Sequence, residues 1–233
     1  MRILHENKNL IVFIKPAGML SEEEGNKQSV PKALKEYLEG KGQKNPQIFT
    51  VHRLDRDVSG VMVVAKNQKT ASVLATAVAQ RRIEKEYLAV VKGIPAEREG
   101  VLKDLLFRDT SKGKTYVTDR MRKGVRDASL SYRLLESGEL DGGPVSLVRI
   151  KLHTGRTHQI RVQFASRKMP LCGDGRYGSA DGKSRPALFS CRLALDGFFD
   201  CSAMPEEEPF TLFDTVNRGI DFQKEPFLED GIN

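Results

Sequence analysis

Tryptophan is absent from the 233 residues, cysteine occurs three times, and no stretch is apolar for long. Runs such as Leu10 to Ile14 and Gly60 to Ala65 are strand-sized, far below the ~20 residues of a membrane span, which excludes a transmembrane helix. Cys172, Cys191 and Cys201 make an odd set without CxxC spacing, so a disulfide framework and a zinc knuckle are both excluded and reduced, structural thiols are expected. No Gly- or Ser-rich linker divides the chain, and a single domain over residues 1–233 is expected. The opening MRILHENKNL puts His5, Glu6 and Lys8 where a secretory signal needs apolar residues, so a cytoplasmic location is expected. A chain this long builds a full hydrophobic core without a staple.

Charge is present but uneven. Residues 196–233 hold ten acidic and two basic side chains, so this segment's −8 leaves the preceding chain at +15 within a total of +7. The densest basic stretch, KGKTYVTDRMRKGVR, gathers Lys112, Lys114, Arg120, Arg122, Lys123 and Arg126 against Asp119 alone. Such a cluster attracts a polyphosphate chain; a solvated loop is the other reading.

Periodicity gives a coarse map. Leu10 to Ile14 reads as a strand broken by the turn Lys15-Pro16-Ala17-Gly18. Ser29 is placed to cap a short helix with Pro31 in its first turn and Leu34, Tyr37 and Leu38 on one face, ending near Gly40. Val61 to Ala65 is a strand, followed by helical spacing at Ala71, Leu74, Ala75 and Val78. Tyr87 to Val91, Leu130 to Leu134 and Val145 to Leu152 read as extended. In VSLVRIKL, Val148, Ile150 and Leu152 alternate with Arg149 and Lys151, which predicts a wet face open to solvent or RNA. THQIRVQFA reads as a helix capped by Thr157, followed by a turn-rich GDGRYG. The sum is an α/β (α+β) chain with a mixed, mostly antiparallel sheet and flanking helices.

The sharpest local signal is VHRLDRDVSGVMVVAK, where His52, Arg53 and Asp55 precede a Ser59-Gly60 turn into a strand. A carboxylate at such a turn serves either as a nucleophile or base or as a partner for backbone amides, and the residue types leave both open. HRLDRDVSG closely resembles the HRLDxxTSG signature of the RluA family of RNA pseudouridine synthases. Lys85-Glu86-Tyr87 with Ala89, Val91 and Gly93 resembles the family's KxYxAxVxG strand. LHTGRTHQIRVQFA resembles its LxTGRxHQIRVHxA motif, PLCGDGRYG its GDxxYG loop, and NLIVFIKPAGML its opening strand with a KPxG turn. The likeness runs from about Leu4 to about Phe213. Val58 stands where Thr is usual, Gln163 where His is usual, and Ser190 where a later motif has His. The small N-terminal RNA-binding domain of some relatives has no room before Leu10, so RNA selection is expected to rest on the catalytic domain.

The resemblance implies the pseudouridine synthase fold with a central catalytic cleft, no cofactor or metal, and isomerisation of uridine in structured rRNA or tRNA, with no membrane and no obligate protein partner. It implies Asp55 as the catalytic carboxylate, Arg156 as the guanidinium that orients it, and Tyr87 as the group that stacks on uracil and helps remove the carbon-5 proton. Arg53 would fill the space left by a flipped base. His52 is expected to hold the turn or touch RNA. His158, Gln159 and Arg161 are expected as RNA contacts or supports of their motif, with Arg120, Arg122 and Lys123 on phosphate. Two rivals remain: an RNA-binding or ribosome-assembly protein on the same scaffold, supported by the three departures, and a hydrolase pairing Asp55 with Asp57.

Overall fold

A computed structural model describes residues 1–178, 185–222, 224 and 227. In chain order the elements are β1 (Arg2–Glu6), β2 (Leu10–Lys15), α1 (Val30–Gly40), β3 (Phe49–Thr50), β4 (Ser59–Ala65), α2 (Gln68–Ala79), β5 (Glu84–Lys92), β6 (Glu99–Asp109), β7 (Lys114–Thr118) and β8 (Val125–Leu140). After these come β9 (Gly143–Leu152), α3 (Gln159–Ala165), β10 (Leu188–Leu195), β11 (Phe199–Ser202), a single 3-10 turn at Phe210–Leu212, and α4 (Asp214–Arg218). The chain forms two compact units, one of residues 1–86 with 188–203 and one of residues 87–187 with 204–233. No helix among the described residues is long and apolar enough to cross a membrane.

The first unit is built on β2 and β4, which pair antiparallel from Leu10↔Ala65 to Lys15↔Gly60. Every residue of β4 is buried, which is why its sequence is a continuous apolar run rather than an alternating one. β1 adds antiparallel to β2, β11 antiparallel to β10, and β10 parallel to β4 through Phe189↔Ser59 and Ser190↔Gly60. Gly60 makes that last pairing possible. Its φ is +124°, and a Cβ there would lie 2.3 Å from the Ser190 carbonyl oxygen. Asn67 caps α2 by accepting the Thr70 N–H at 2.9 Å. Ser29 occupies the corresponding position before α1, but its side chain makes no capping bond. Around Glu6, burial opposes the charged form, yet hydrogen bonds from Lys41, Lys66 and Tyr37 outweigh it and hold the carboxyl at about 2. That cluster ties β1 to α1.

In the second unit the strand order is β5-β9-β8-β6-β7, with antiparallel ladders joining β8 to β9, β6 to β8 and β6 to β7. The expected wet face of β9 is a correction: Arg149 is 1% exposed, with its guanidinium 4.7 Å from the Phe222 ring centre and 4.9 Å from that of Phe227. Residues from the chain's acidic segment cover a face that alternation alone assigns to water. The start of α3 also differs. His158, not Thr157, occupies the position before the helix, in the left-handed region with φ 56°. Leu106, Ala128 and Val162 form a small core there, with Tyr177 against it.

Gly60→Ala places a methyl against the backbone of the neighbouring strand, which no side-chain movement relieves. We expect a loss of more than about 3 kcal/mol in unfolding free energy, read by denaturant titration; a stability within about 0.5 kcal/mol of the parent would refute the close β4–β10 packing.

Candidate functional site

In the first unit, the turn from His52 to Val58 is gripped at successive residues. His52 Nε2 accepts the Val63 N–H at 3.0 Å, which joins the start of the turn to the middle of β4 and puts the ring proton on Nδ1. Ser21 Oγ donates to the Leu54 carbonyl at 2.8 Å and accepts the Leu54 N–H at 3.1 Å. Beyond Asp55, the Arg56 carbonyl accepts from Lys15 Nζ at 3.0 Å and from the Gly18 N–H at 2.8 Å. The Val58 N–H donates to the Asp55 carbonyl at 3.1 Å and closes the turn. Asp55 itself is half-buried.

Lys15 is fully buried, and its ammonium also donates to the carbonyls of Pro16 and Met19, each at 2.9 Å. Burial pushes its pKa down to about 8, against the opposing pull of the Asp57 and Asp55 carboxylates. His52 is only partly covered as a residue, but its ring is desolvated. Burial, with Lys85 adding to it, lowers its pKa to about 3, so it is neutral in the physiological range. His52 is thus an internal pin between the turn and β4. Arg53 lies on the surface, where it meets Glu22 at 3.1 Å in a pair more than half exposed on both sides. An exposed pair of this kind holds Arg53 by about 1 kcal/mol or less.

In the second unit, Tyr87 lies on β5 and is 7% exposed. The turn before α3 is organised by Gln159, whose Oε1 accepts from Thr154 Oγ1 at 2.8 Å and from the Arg156 N–H at 2.9 Å. Its Nε2 donates to the Ser129 carbonyl at 3.1 Å. Arg156 donates from Nε to the Asp127 carbonyl at 2.8 Å, with the exposed Asp127 carboxylate 3.5 Å from its terminal nitrogen. A guanidinium offers five donors, of which Asp127 takes two.

Gln159 and Arg161, expected as RNA contacts or as supports of their motif, both lie in the interior. Gln159 is 3% exposed and occupied as above, and Arg161 is 7% exposed in a two-bond pair with Asp174, both bonds 2.7 Å, beneath the Tyr177 ring. A guanidinium enclosed in this way would leave a buried carboxylate uncompensated if it moved to a phosphate. His158 is half-buried and meets the Tyr177 hydroxyl at 2.8 Å; that hydroxyl also accepts the Thr115 N–H at 2.9 Å. The departures from the family pattern are interior as well: Val58 is 2% exposed, Gln163 donates to the Leu102 carbonyl and Asp104, and Ser190 donates to the Val61 carbonyl.

The basic stretch is partly strand. Lys114–Thr118 forms β7, paired with β6 through Phe107↔Tyr116, and the following segment carries exposed Arg120, Arg122 and Lys123 into β8. Arg122 stacks 4.9 Å over Phe107, and Lys114 lies 5.8 Å from the centre of the Tyr116 ring, itself 38% exposed. Cations interleaved with accessible aromatic rings suit a polyanion that also offers base faces. Residue-type reasoning did not single out two side chains that hold the turn. Lys15 was visible in the quoted KPAG segment, whereas nothing in the sequence marks Ser21.

Residues 9–166 match the family described as RNA pseudouridylate synthase. The ribosomal large subunit pseudouridine synthase D of Borreliella burgdorferi is 33% identical over 203 residues, 83% of this chain and 60% of that protein. Synthase D of Haemophilus ducreyi is 35% identical over 197 residues, covering 84% and 57%. Synthase C of Rickettsia bellii is 35% identical over 180 residues, covering 76% and 56%. The chain therefore spans somewhat over half the length of these curated relatives. Among solved structures, human RNA pseudouridylate synthase domain containing 1 shares the fold with a TM-score of 0.73 at 24% identity, over 88% of this chain and 83% of that one.

The pinned imidazole has a pH signature. The folded-state pKa of His52 is depressed from 6.5 to about 3, so between those values the unfolded chain binds the extra proton. The stability associated with neutral His52 is fully present above pH 6.5 and is lost as pH falls toward 3, at up to about 1.4 kcal/mol per pH unit. Denaturant unfolding between about pH 6.5 and pH 5 should show a shallower loss for His52→Gln, which keeps an acceptor for Val63 but does not titrate. Equal slopes would place the ring in water.

Proposed function

The chain belongs to the RNA pseudouridylate synthase family, and on that footing we propose that it converts uridine to pseudouridine in structured RNA. The observation that carries this reading is the pinned turn of the HRLDRDVSG motif, which holds the backbone on both sides of Asp55 within a chain whose residues 9–166 match the family. The names of its relatives favour ribosomal RNA of the large subunit as substrate, with transfer RNA as the second class. We take residues 1–233 as one catalytic domain acting in the cytoplasm.

The reaction breaks the bond from ribose to the base nitrogen, turns the base, and rejoins it through carbon 5. The proton lost from carbon 5 is matched by one gained at the freed nitrogen, so the isomerisation changes neither composition nor oxidation state and calls for no redox cofactor. Asp55 supplies the carboxylate for attack or charge stabilisation. Arg156 is assigned to direct it and Tyr87 to stack on uracil and assist proton removal; both assignments rest on the family motifs. Arg53, loosely held at the surface by Glu22, is assigned to the gap left when the target base leaves the stack. Arg120, Arg122 and Lys123 are assigned to phosphate.

The interior positions of Val58, Gln163 and Ser190 bear on the rival reading of a scaffold that retains RNA binding without catalysis. All three side chains are interior, with Gln163 donating to Asp104 and Ser190 to the Val61 carbonyl, and turnover of uridine is what separates the two readings.

Asp55→Asn preserves shape and removes the carboxylate. We expect no detectable pseudouridine when this variant is incubated with ribosomal RNA and the product is mapped chemically, with RNA binding retained; parental turnover would defeat the assignment. Release of free base by the parent protein would indicate a hydrolase instead.

RNA affinity should fall steeply with salt through counterion release. Replacing Arg120, Arg122 and Lys123 together by Gln should lower the slope of log affinity against log salt by about 2. An unchanged slope would mean that this segment faces away from RNA.

A further inference from the structure

Ser21 lies outside every motif that carries the family likeness, yet it makes two hydrogen bonds to the residue before Asp55. The same oxygen gives its only proton to the Leu54 carbonyl at 2.8 Å and receives the Leu54 N–H at 3.1 Å. Ser21 is 6% exposed and Leu54 5% exposed, so water does not readily substitute for either bond. The peptide groups on both sides of the Leu54 Cα are thereby fixed, including the one that leads directly into Asp55.

The serine is itself held firmly. The preceding Leu20 donates its N–H to the Gln28 carbonyl at 3.3 Å and accepts the Val30 N–H at 2.8 Å, which attaches it to the start of α1. The Ser21 carbonyl accepts from Thr50 Oγ1 at 3.2 Å, and its hydroxyl lies 3.7 Å from the Met62 sulfur on β4. The clamp thus refers Leu54 to a helix and to the buried strand. Lys15 acts one residue beyond Asp55, on the Arg56 carbonyl. With Ser21 before it and Lys15 after it, the backbone of Asp55 is bracketed by side chains from a different part of the sequence.

We infer that Ser21 is a positioning residue for uridine isomerisation, setting the direction in which the turn presents Asp55. The inference rests on Asp55 being the reacting carboxylate, as proposed above. A misplacement of about 1 Å at a reacting group can cost a hundredfold in rate. Ser21→Ala removes both bonds and leaves the Leu54 peptide groups buried without this partner. Its kcat on ribosomal RNA should fall by about tenfold to a hundredfold, with KM within about twofold of the parent, because the groups assigned to RNA are untouched. Ser21→Thr, which keeps the hydroxyl, should recover most of the lost kcat.

Amide exchange supplies a readout that does not depend on turnover. In Ser21→Ala, protection should drop at Leu54 to Val58 and stay unchanged in α2. Parental kcat in Ser21→Ala, a loss of kcat that Ser21→Thr leaves unrepaired, or unchanged protection at Leu54 would each overturn the inference. Asp55→Asn assayed alongside separates the two claims. If Asp55→Asn turns over normally, the reading of Asp55 fails, and with it the positioning role, even if the exchange result shows that the clamp exists. If Asp55→Asn is dead and Ser21→Ala is not, only the positioning role fails.

Discussion

A positive charge in the interior of the first unit organises the region around Asp55. Lys15 is the last residue of β2, with no exposed surface, and its ammonium is satisfied by three main-chain carbonyls from Pro16, Met19 and Arg56. A buried ammonium needs such partners, because leaving one of its hydrogens unmet costs more than the bond would gain in water. The chain is therefore obliged to bring two separate segments, residues 16–19 and the turn at Arg56, to the same point. Gly18 adds the backbone bond that joins them directly. The carboxylates of Asp55 and Asp57 partly offset the cost of burying the charge, so the lysine and the proposed catalytic turn stabilise one another.

Other basic residues follow the same division between interior and surface work. Arg161 is enclosed with Asp174, Arg149 lies against two phenylalanine rings, and Arg192 pairs with Glu84, Glu86 and Asp200 within the first unit. Planar guanidinium groups suit these places because they present several donors and stack on rings. The +15 of the chain before residue 196 consequently overstates the charge available to a polyanion. Arg53, Arg120, Arg122 and Lys123 remain on the surface, and among them only Arg53 belongs to the motif that carries Asp55. In the proposed function, affinity for phosphate and chemistry at the base fall to different residues.

Much of this was legible in the linear sequence wherever one physical rule acted alone. The apolar runs at Leu10 and Val61 became β2 and β4, the helical spacing after Asn67 became α2, and Pro31 marked the first turn of α1, because burial of one stripe or one strand leaves a periodic trace. The strands β6, β7, β10 and β11 left weaker traces. β7 carries Lys114, Tyr116 and Thr118 with no run of apolar residues, and it is a strand because β6 supplies its hydrogen bonds, not because its composition demands one. Reading VSLVRIKL as half wet failed for a related reason: alternation reports polarity, and Phe222 and Phe227 arrive from more than seventy residues away to cover Arg149.

By itself the sequence determined the family, the mixed and mainly antiparallel architecture, and Asp55, Tyr87 and Arg156 as the residues to examine, since ordered motifs survive as residue types at fixed spacing. Tertiary structure alone decided which of the polar candidates are accessible. It turned Gln159 and Arg161 inward, kept Arg53 and Arg122 outward, made His52 a neutral acceptor for Val63, and brought Ser21 onto Leu54 across thirty-three positions of chain. The reason is that a hydrogen bond between distant segments imposes no spacing rule on the sequence; it depends on two backbones meeting, and only the packed fold determines where they meet.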